Sequence, residues 1–312
     1  MPARIPTTKP TDLGTEIALI QEAFTLSNLN GKGRYTQLCE QWLEKFLPTG
    51  SKGKAFVLSF DTYVSTVNSF VLRGAVPVFV GLDSRTMNID ARLIEDAITC
   101  KTRVIIPVHY GGIAADMNLI MSLARRHGLL VVEDAAMACT SLYKGRMLGT
   151  IGHIGCISFQ EKKNFTAGGQ GGALLVNDPS LNDRAKIVYE HGTNRGQVDR
   201  YQWLDLGINA TLSELQAAFL CAQLQAADTI NASRLHLWQK YYSALRPLVE
   251  MGYLMLPTTH PQFMPLHLSP MGLATGRFNG DDHGTTMAVA QILLLQLFVG
   301  SGNVGGGAKA RH

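Results

Sequence analysis

Short apolar runs alternate with polar, helix-compatible stretches through the middle of the chain. Residues 76–80, 103–108, 129–132, 154–159 and 172–176 are each four to six residues of nearly continuous apolar character. Runs of that length without polar alternation predict strands buried on both faces, the habit of parallel sheets. Between two of them lies a helix with both ends marked. Asp116 is its cap, Met117, Ile120, Met121 and Ala124 form its apolar stripe, Arg125 and Arg126 sit in its last turn, and Gly128 is its left-handed stop. Strand–helix alternation predicts a doubly wound α/β sheet with a site at the carboxyl ends of its strands, where His109 and Asp134 fall.

A second helical pattern starts at Thr211 or Ser213 and continues to about Glu250, with Leu215, Ala218, Phe219, Ala222, Leu224 and Ala227 as its stripe. Beyond it, Pro257, Pro261, Pro265 and Pro270 break the text into loops. Residues 300–307 have the glycine-rich composition of a disordered tail. The expected division is a large domain over 1–245 and a smaller, loop-broken region over 246–312.

Composition narrows the class. The 312 residues are long enough for a sizeable core, and 46% hydrophobic with 17% charged residues is ordinary globular usage. A net charge of +4 without a single-sign run argues against nucleic acid as partner. Five scattered cysteines without a CxxC pair suggest neither a zinc site nor a disulfide framework, and fit a reducing cytoplasm. The amino terminus has no apolar signal-peptide core. No apolar run is long enough to span a bilayer, so a membrane is not expected as partner.

The candidate chemistry is an acid and a lysine 29 positions apart. Asp134 ends a buried apolar strand in Val131-Val132-Glu133-Asp134-Ala135-Ala136. Lys163 precedes a glycine-rich turn that includes Gly168, Gly169, Gly171 and Gly172. Such a pair suits pyridoxal phosphate: the lysine forms the Schiff base, and the acid keeps the pyridine nitrogen protonated so the ring draws electrons. Lys162 is the competing amine, since neighbours on extended backbone point to opposite faces.

The text around these residues resembles the DegT/DnrJ/EryC1/StrS sugar aminotransferases, fold type I enzymes dependent on pyridoxal phosphate. The likeness rests on Asn88-Ile89-Asp90, Ile106-Pro107-Val108-His109-Tyr110-Gly111-Gly112, Glu133-Asp134-Ala135-Ala136, Tyr143-Lys144-Gly145-Arg146 and the Lys163 segment. Residues 150–156, 163–169, 192–195 and 196–199 are most similar to members that aminate dTDP-4-oxo-6-deoxy-D-glucose for enterobacterial common antigen synthesis. The resemblance implies an aspartate aminotransferase-like large domain and transfer of an amino group from glutamate to the C4 ketone of a dTDP-sugar. It implies Lys163 rather than Lys162 as the Schiff-base residue, Asp134 on the ring nitrogen and Tyr63 stacked on the ring. Ser158 would bind the phosphate. Asn209 would reach a phosphate in a neighbouring subunit, which implies a homodimer with shared sites. His109 and His267 are weaker substrate-binding candidates.

The chain also departs from the family pattern. A Gly/Ser-X-Thr-Ala segment that opens a phosphate-gripping helix is missing between the first helices and the strand before Tyr63, where residues 47–54 run directly into 55–59, and Ser51 and Gly53 replace it only loosely. Met137 stands where a polar residue is usual, and Gln160 and Gln170 stand where close relatives carry histidine and glutamate. The small domain lacks room for its expected strands and helix between Pro257 and His267. Two alternatives stand beside transamination. One is a non-catalytic relative. The other is a sugar-nucleotide dehydratase, against which retention of Lys163 speaks.

Overall fold

In the computed structural model, the described residues are 10–48, 51–58, 65–194, 202–256, 263–264 and 273–274. Tyr63, His267, the motif over 196–199 and the glycine-rich tail lie outside them. The chain divides into two compact units, one comprising 1–244 and 257–270, the other 245–256 and 271–312.

The first unit is built on a five-stranded sheet: β1 (Lys54–Leu58), β2 (Val104–Ile105), β3 (Leu130–Asp134), β6 (Ile154–Ser158) and β7 (Gly172–Val176), in the order β1-β7-β6-β3-β2. β2, β3 and β6 run parallel, whereas β7 is antiparallel to both β6 and β1. The sheet is therefore mixed, not wholly parallel. The connection after Ser158 folds straight back into β7 without a crossover helix, and such a connection requires antiparallel pairing. Between β3 and β6, β4 (Leu142–Tyr143) and β5 (Arg146–Met147) form a small antiparallel ribbon that β9 (Phe263–Met264) extends.

The helices are α1 (Glu16–Thr25), α2 (Arg34–Glu44), α3 (Ser65–Val71), α4 (Ile94–Ala97), α5 (Met117–His127), α6 (Asn182–Tyr189), α7 (Glu214–Gln225) and α8 (Ala227–Glu250). α5 has the expected ends. Asp116 accepts the Leu119 N–H at 3.2 Å, and Gly128 stops the helix at φ +64°. Its Met117, Ile120, Leu123 and Ala124 are buried in the core that also takes Val131, Ile157 and Leu175 from the sheet. The long helical pattern is two helices, with Ala226 leaving helical geometry between them. Ser213 caps α7, and the buried positions of that helix extend well round its circumference, so its sequence stripe is only part of its packed surface.

Residues 76–80 form no strand. Val76 is 85% and Phe79 79% exposed, and the sheet ends at β2. A strand exists only with a partner ladder, and no described strand lies beyond β2 to supply one. In the second unit, β8 (Leu254–Met255) pairs antiparallel with β10 (Leu273–Ala274). Among the described residues no helix is long and apolar enough to cross a membrane.

Candidate active site

The carboxyl ends of β3 and β6 carry the site. The parallel register sets Asp134 opposite Cys156. Alternation then places Ser158, two residues on, on the same face as Cys156. Asp134 and Ser158 thus share one face and one edge of the sheet, and both are buried.

Asp134 is held from two sides. Its Oδ2 accepts the Thr66 hydroxyl at 2.6 Å, and its Oδ1 accepts the Ala136 N–H at 3.1 Å. Its backbone is fixed as well: its N–H donates to Pro107 and its carbonyl accepts from His109, both at 2.9 Å. Thr66 opens α3 and carries no signal in the sequence motifs. It comes to Asp134 only through the fold.

After Ser158 the chain makes a loop that returns to β7. The Phe159 N–H donates to Gly171, Glu161 to Gly169 and Ala167 to Phe159, a ladder that keeps the loop narrow. Lys163 closes a turn at its tip by donating its N–H to the Gln160 carbonyl at 2.9 Å. Lys163 is half-buried whereas Lys162 is exposed. The Lys163 carbonyl accepts from Arg234 of α8 at 3.3 Å. Both side-chain amide atoms of Asn164 are buried without a partner among the described residues, as is Arg234 Nε. Ser158 Oγ accepts the Gln160 N–H at 3.3 Å, and the Gln160 side chain takes the Lys162 N–H at 2.8 Å. Gln160 therefore has a local duty here, shaping the lysine turn, and at Gln170 the backbone carbonyl accepts from Gln216 at 2.9 Å. Met137 is half-buried.

His109 occupies a different position from that expected of a substrate-binding residue. It is fully buried, with Nε2 2.9 Å from Glu133 Oε2 and Nδ1 accepting the Ala115 N–H at 3.2 Å. An acceptor role at Nδ1 assigns the neutral ring's proton to Nε2, which donates to the carboxylate. Both nitrogens are committed to the protein, leaving none for substrate.

Glu133 is the residue that motif reading passed over. It is fully buried and points away from its neighbour Asp134, as alternation requires. The N–H groups of Gly149 (2.9 Å), Ile151 (2.6 Å) and Gly152 (2.5 Å) converge on it with His109. Burial opposes its charge, but the His109 hydrogen bond and the N–H groups of Gly152 and Gly149 outweigh burial and hold the carboxyl below its ordinary value. This anchor ties the loop over 148–152 to β3 just below Asp134. Gly155 permits the close fit, because a Cβ there would lie 1.9 Å from the Gly149 carbonyl oxygen. An acid inside an apolar strand is the sequence signal that marks such an anchor.

Asn209 has other partners than these residues among those described. It is exposed, its Oδ1 accepts the Thr211 hydroxyl at 2.9 Å, and its backbone bridges to Glu190.

The DegT/DnrJ/EryC1/StrS aminotransferase family model matches residues 46–298. The chain is 36% identical over 204 residues to the spore coat polysaccharide biosynthesis protein SpsC of Bacillus subtilis, covering 63% of this chain and 52% of that protein. It is 35% identical over 210 residues to the erythromycin biosynthesis sensory transduction protein EryC1 of Saccharopolyspora erythraea, covering 67% and 56%. The chain thus spans about half the length of these curated relatives. Among solved structures, an aminotransferase from Psychrobacter cryohalolentis matches with a TM-score of 0.76 at 28% identity, covering 83% of this chain and 75% of that one. S. venezuelae DesV, solved in complex with a ketimine intermediate, matches at 0.73 and 29%, covering 84% and 76%. The mixed α/β sheet is that of the fold type I enzymes dependent on pyridoxal phosphate. A match across most of its length, on the fold those aminotransferases share, establishes that the chain belongs to the DegT/DnrJ/EryC1/StrS aminotransferase family.

Proposed function

We propose that this chain is a pyridoxal phosphate-dependent aminotransferase of a nucleotide sugar. One observation carries the reading. A buried carboxylate, oriented by two donors, stands at the sheet edge from which the Lys163 loop departs. The side chains fit the cofactor's three handles: Asp134 for the ring nitrogen, Lys163 for the aldehyde carbon and Ser158 for the phosphate. The orphaned Asn164 amide beside Lys163 is polar capacity that a polar ligand would satisfy.

When bound, pyridoxal phosphate acts as an electron sink that takes an amino group from one substrate and gives it to another. Asp134 would pair with the protonated ring nitrogen and favour that protonation by its charge. The Lys163 amine would hold the cofactor and, once released, move the proton at the substrate carbon. Ser158 would orient the phosphate, and Tyr63 would cover the ring face. Asn209 would reach a phosphate in the neighbouring subunit of a homodimer, and its exposure supports that role. His267 would contact the sugar. His109, with both nitrogens engaged, is not carried into this reading. The substrates proposed are a dTDP-4-oxo-6-deoxyhexose and glutamate, in the cytoplasm, as in the enterobacterial common antigen branch. The name of SpsC supports polysaccharide biosynthesis as the setting.

A second reading, a non-catalytic relative, is favoured by the missing Gly/Ser-X-Thr-Ala segment before Tyr63. An absorbance scan with added pyridoxal phosphate separates the two. The enzyme reading predicts a band near about 410–430 nm that Lys163→Ala abolishes. No band at saturating cofactor overturns it in favour of the second.

A further inference from the structure

We propose that Thr66 is a positioning residue that acts through Asp134 to set how firmly the chain grips the cofactor's ring nitrogen. The inference rests on the cofactor reading above.

Among the described residues, two donors hold the Asp134 carboxylate. The Ala136 N–H belongs to the turn that follows β3, so it comes with the strand end itself. Thr66 is 68 residues away in sequence, on a helix that only the tertiary fold brings to the edge. Its bond to Oδ2, at 2.6 Å, is the shorter of the two. A hydroxyl donating to a carboxylate stabilises the charged form and removes rotational freedom from the acid. An aspartate with one oxygen tied by backbone alone still has freedom about its terminal torsion. Adding a donor on the other oxygen fixes the plane of the carboxylate. Each oxygen retains a second lone pair for a ring N–H. Thr66 itself need touch no cofactor atom, and its effect passes through the carboxylate.

Thr66 also sits at the start of α3, whose Val71 is exposed, as is Leu72 just beyond it. The hydroxyl thus ties the start of an exposed helix to the strand end that would hold the ring. A binding role and a merely structural one therefore need separating, and the ring nitrogen provides the means.

The test compares pyridoxal phosphate with its 1-deaza analogue, whose ring carries carbon in place of the nitrogen. Affinities of the full chain for both are read by absorbance or fluorescence titration. The unaltered chain is expected to prefer pyridoxal phosphate, because only that ring engages Asp134. Thr66→Val, nearly isosteric but without the donor, is expected to weaken pyridoxal phosphate by about tenfold, the loss of one hydrogen bond to a charged group. The deaza analogue should change by less than about twofold, since no ring N–H is there to be oriented. Thr66→Ser is expected to restore the preference. Should the valine variant fail to fold, Thr66→Ala reads the same ratio. Equal weakening of both ligands, or no rescue by serine, overturns the inference while leaving the cofactor reading in place. If the unaltered chain binds neither ligand, the cofactor reading fails and the inference fails with it.

Discussion

Two glutamates, one buried and one half-buried, show how differently one side chain behaves in two parts of the molecule. Glu133, inside β3, is met by three backbone N–H groups and the His109 ring, and is held below its ordinary value. Glu40, where α2 packs on β1, has among the described residues one long N–H from Val57 at 3.3 Å, with Glu44 and Glu214 nearby. Burial, helped by Glu44 and Glu214, pushes it up to about 7. Burial penalises both charges, and the number of donors decides the outcome. The well-provided acid adjoins the candidate site and makes its support rigid. The poorly provided one lies in the scaffold and weakens it near neutral pH.

The largest expected effect tests the first acid. Glu133→Gln sets an amide NH2 either against the Ile151 and Gly152 N–H groups or against the Gly149 and His109 N–H groups. The expected loss is about 3–5 kcal/mol of unfolding free energy, read by denaturant titration. A loss under about 1 kcal/mol would break the contrast between the two regions. The pH dependence sharpens it. The folded value of Glu133 is depressed, so its contribution is present above the ordinary value of 4.5 and is lost as pH falls through the folded value. The unaltered chain should therefore lose stability more steeply than the variant below that pH.

Glu40 should respond with the opposite sign. Its folded value is raised from 4.5 to about 7, so the folded state holds the proton longer and stability falls as pH rises through that window. Glu40→Gln keeps the acceptor for Val57 and cannot ionise. It should gain stability above pH 7, by about 1–3 kcal/mol after allowing for partial solvent access, and nothing near pH 4.5. A gain independent of pH would show that the charge is not the cause.

The smallest effect concerns the loop beyond β6. Asn164 carries two buried polar atoms without partners among the described residues, where Glu133 is fully provided. Asn164→Leu is of similar volume and is expected to raise unfolding free energy by about 1 kcal/mol while weakening cofactor binding. Thermal melts with and without pyridoxal phosphate read both. A destabilised, tightly binding variant would show that Asn164 already has its partners.

Local signals were legible. Asp116 and Gly128 bound α5 because a cap and a left-handed stop act over three or four residues. β7 spans Gly172–Val176, the whole of its apolar run. Residues 76–80 have a strand's composition and are not a strand, since pairing depends on a partner remote in sequence. The same holds for α2, whose first-turn N–H groups are met by buried Glu214 from 178 to 181 residues away. No cap is written beside that helix, and Gly33 at its start makes no side-chain cap.

In the site, the motifs drew attention to Asp134, Ser158 and Lys163, and the fold places Asp134 and Ser158 on one edge with the Lys163 loop leaving from it. His109 was legible as a residue at a strand end but not as a partner of Glu133, because which side its ring faces depends on the loops packed round it. The chain by itself determined where α5 starts and stops, the extent of the β7 run, and which acid and lysine are the candidates for chemistry. These are properties of neighbours in sequence. Only the tertiary structure decided that Thr66 meets Asp134, that Glu133 is cradled and Glu40 left short of donors, and that the sheet ends at β2. Each of these depends on a donor, or a strand partner, that arrives from elsewhere in the chain.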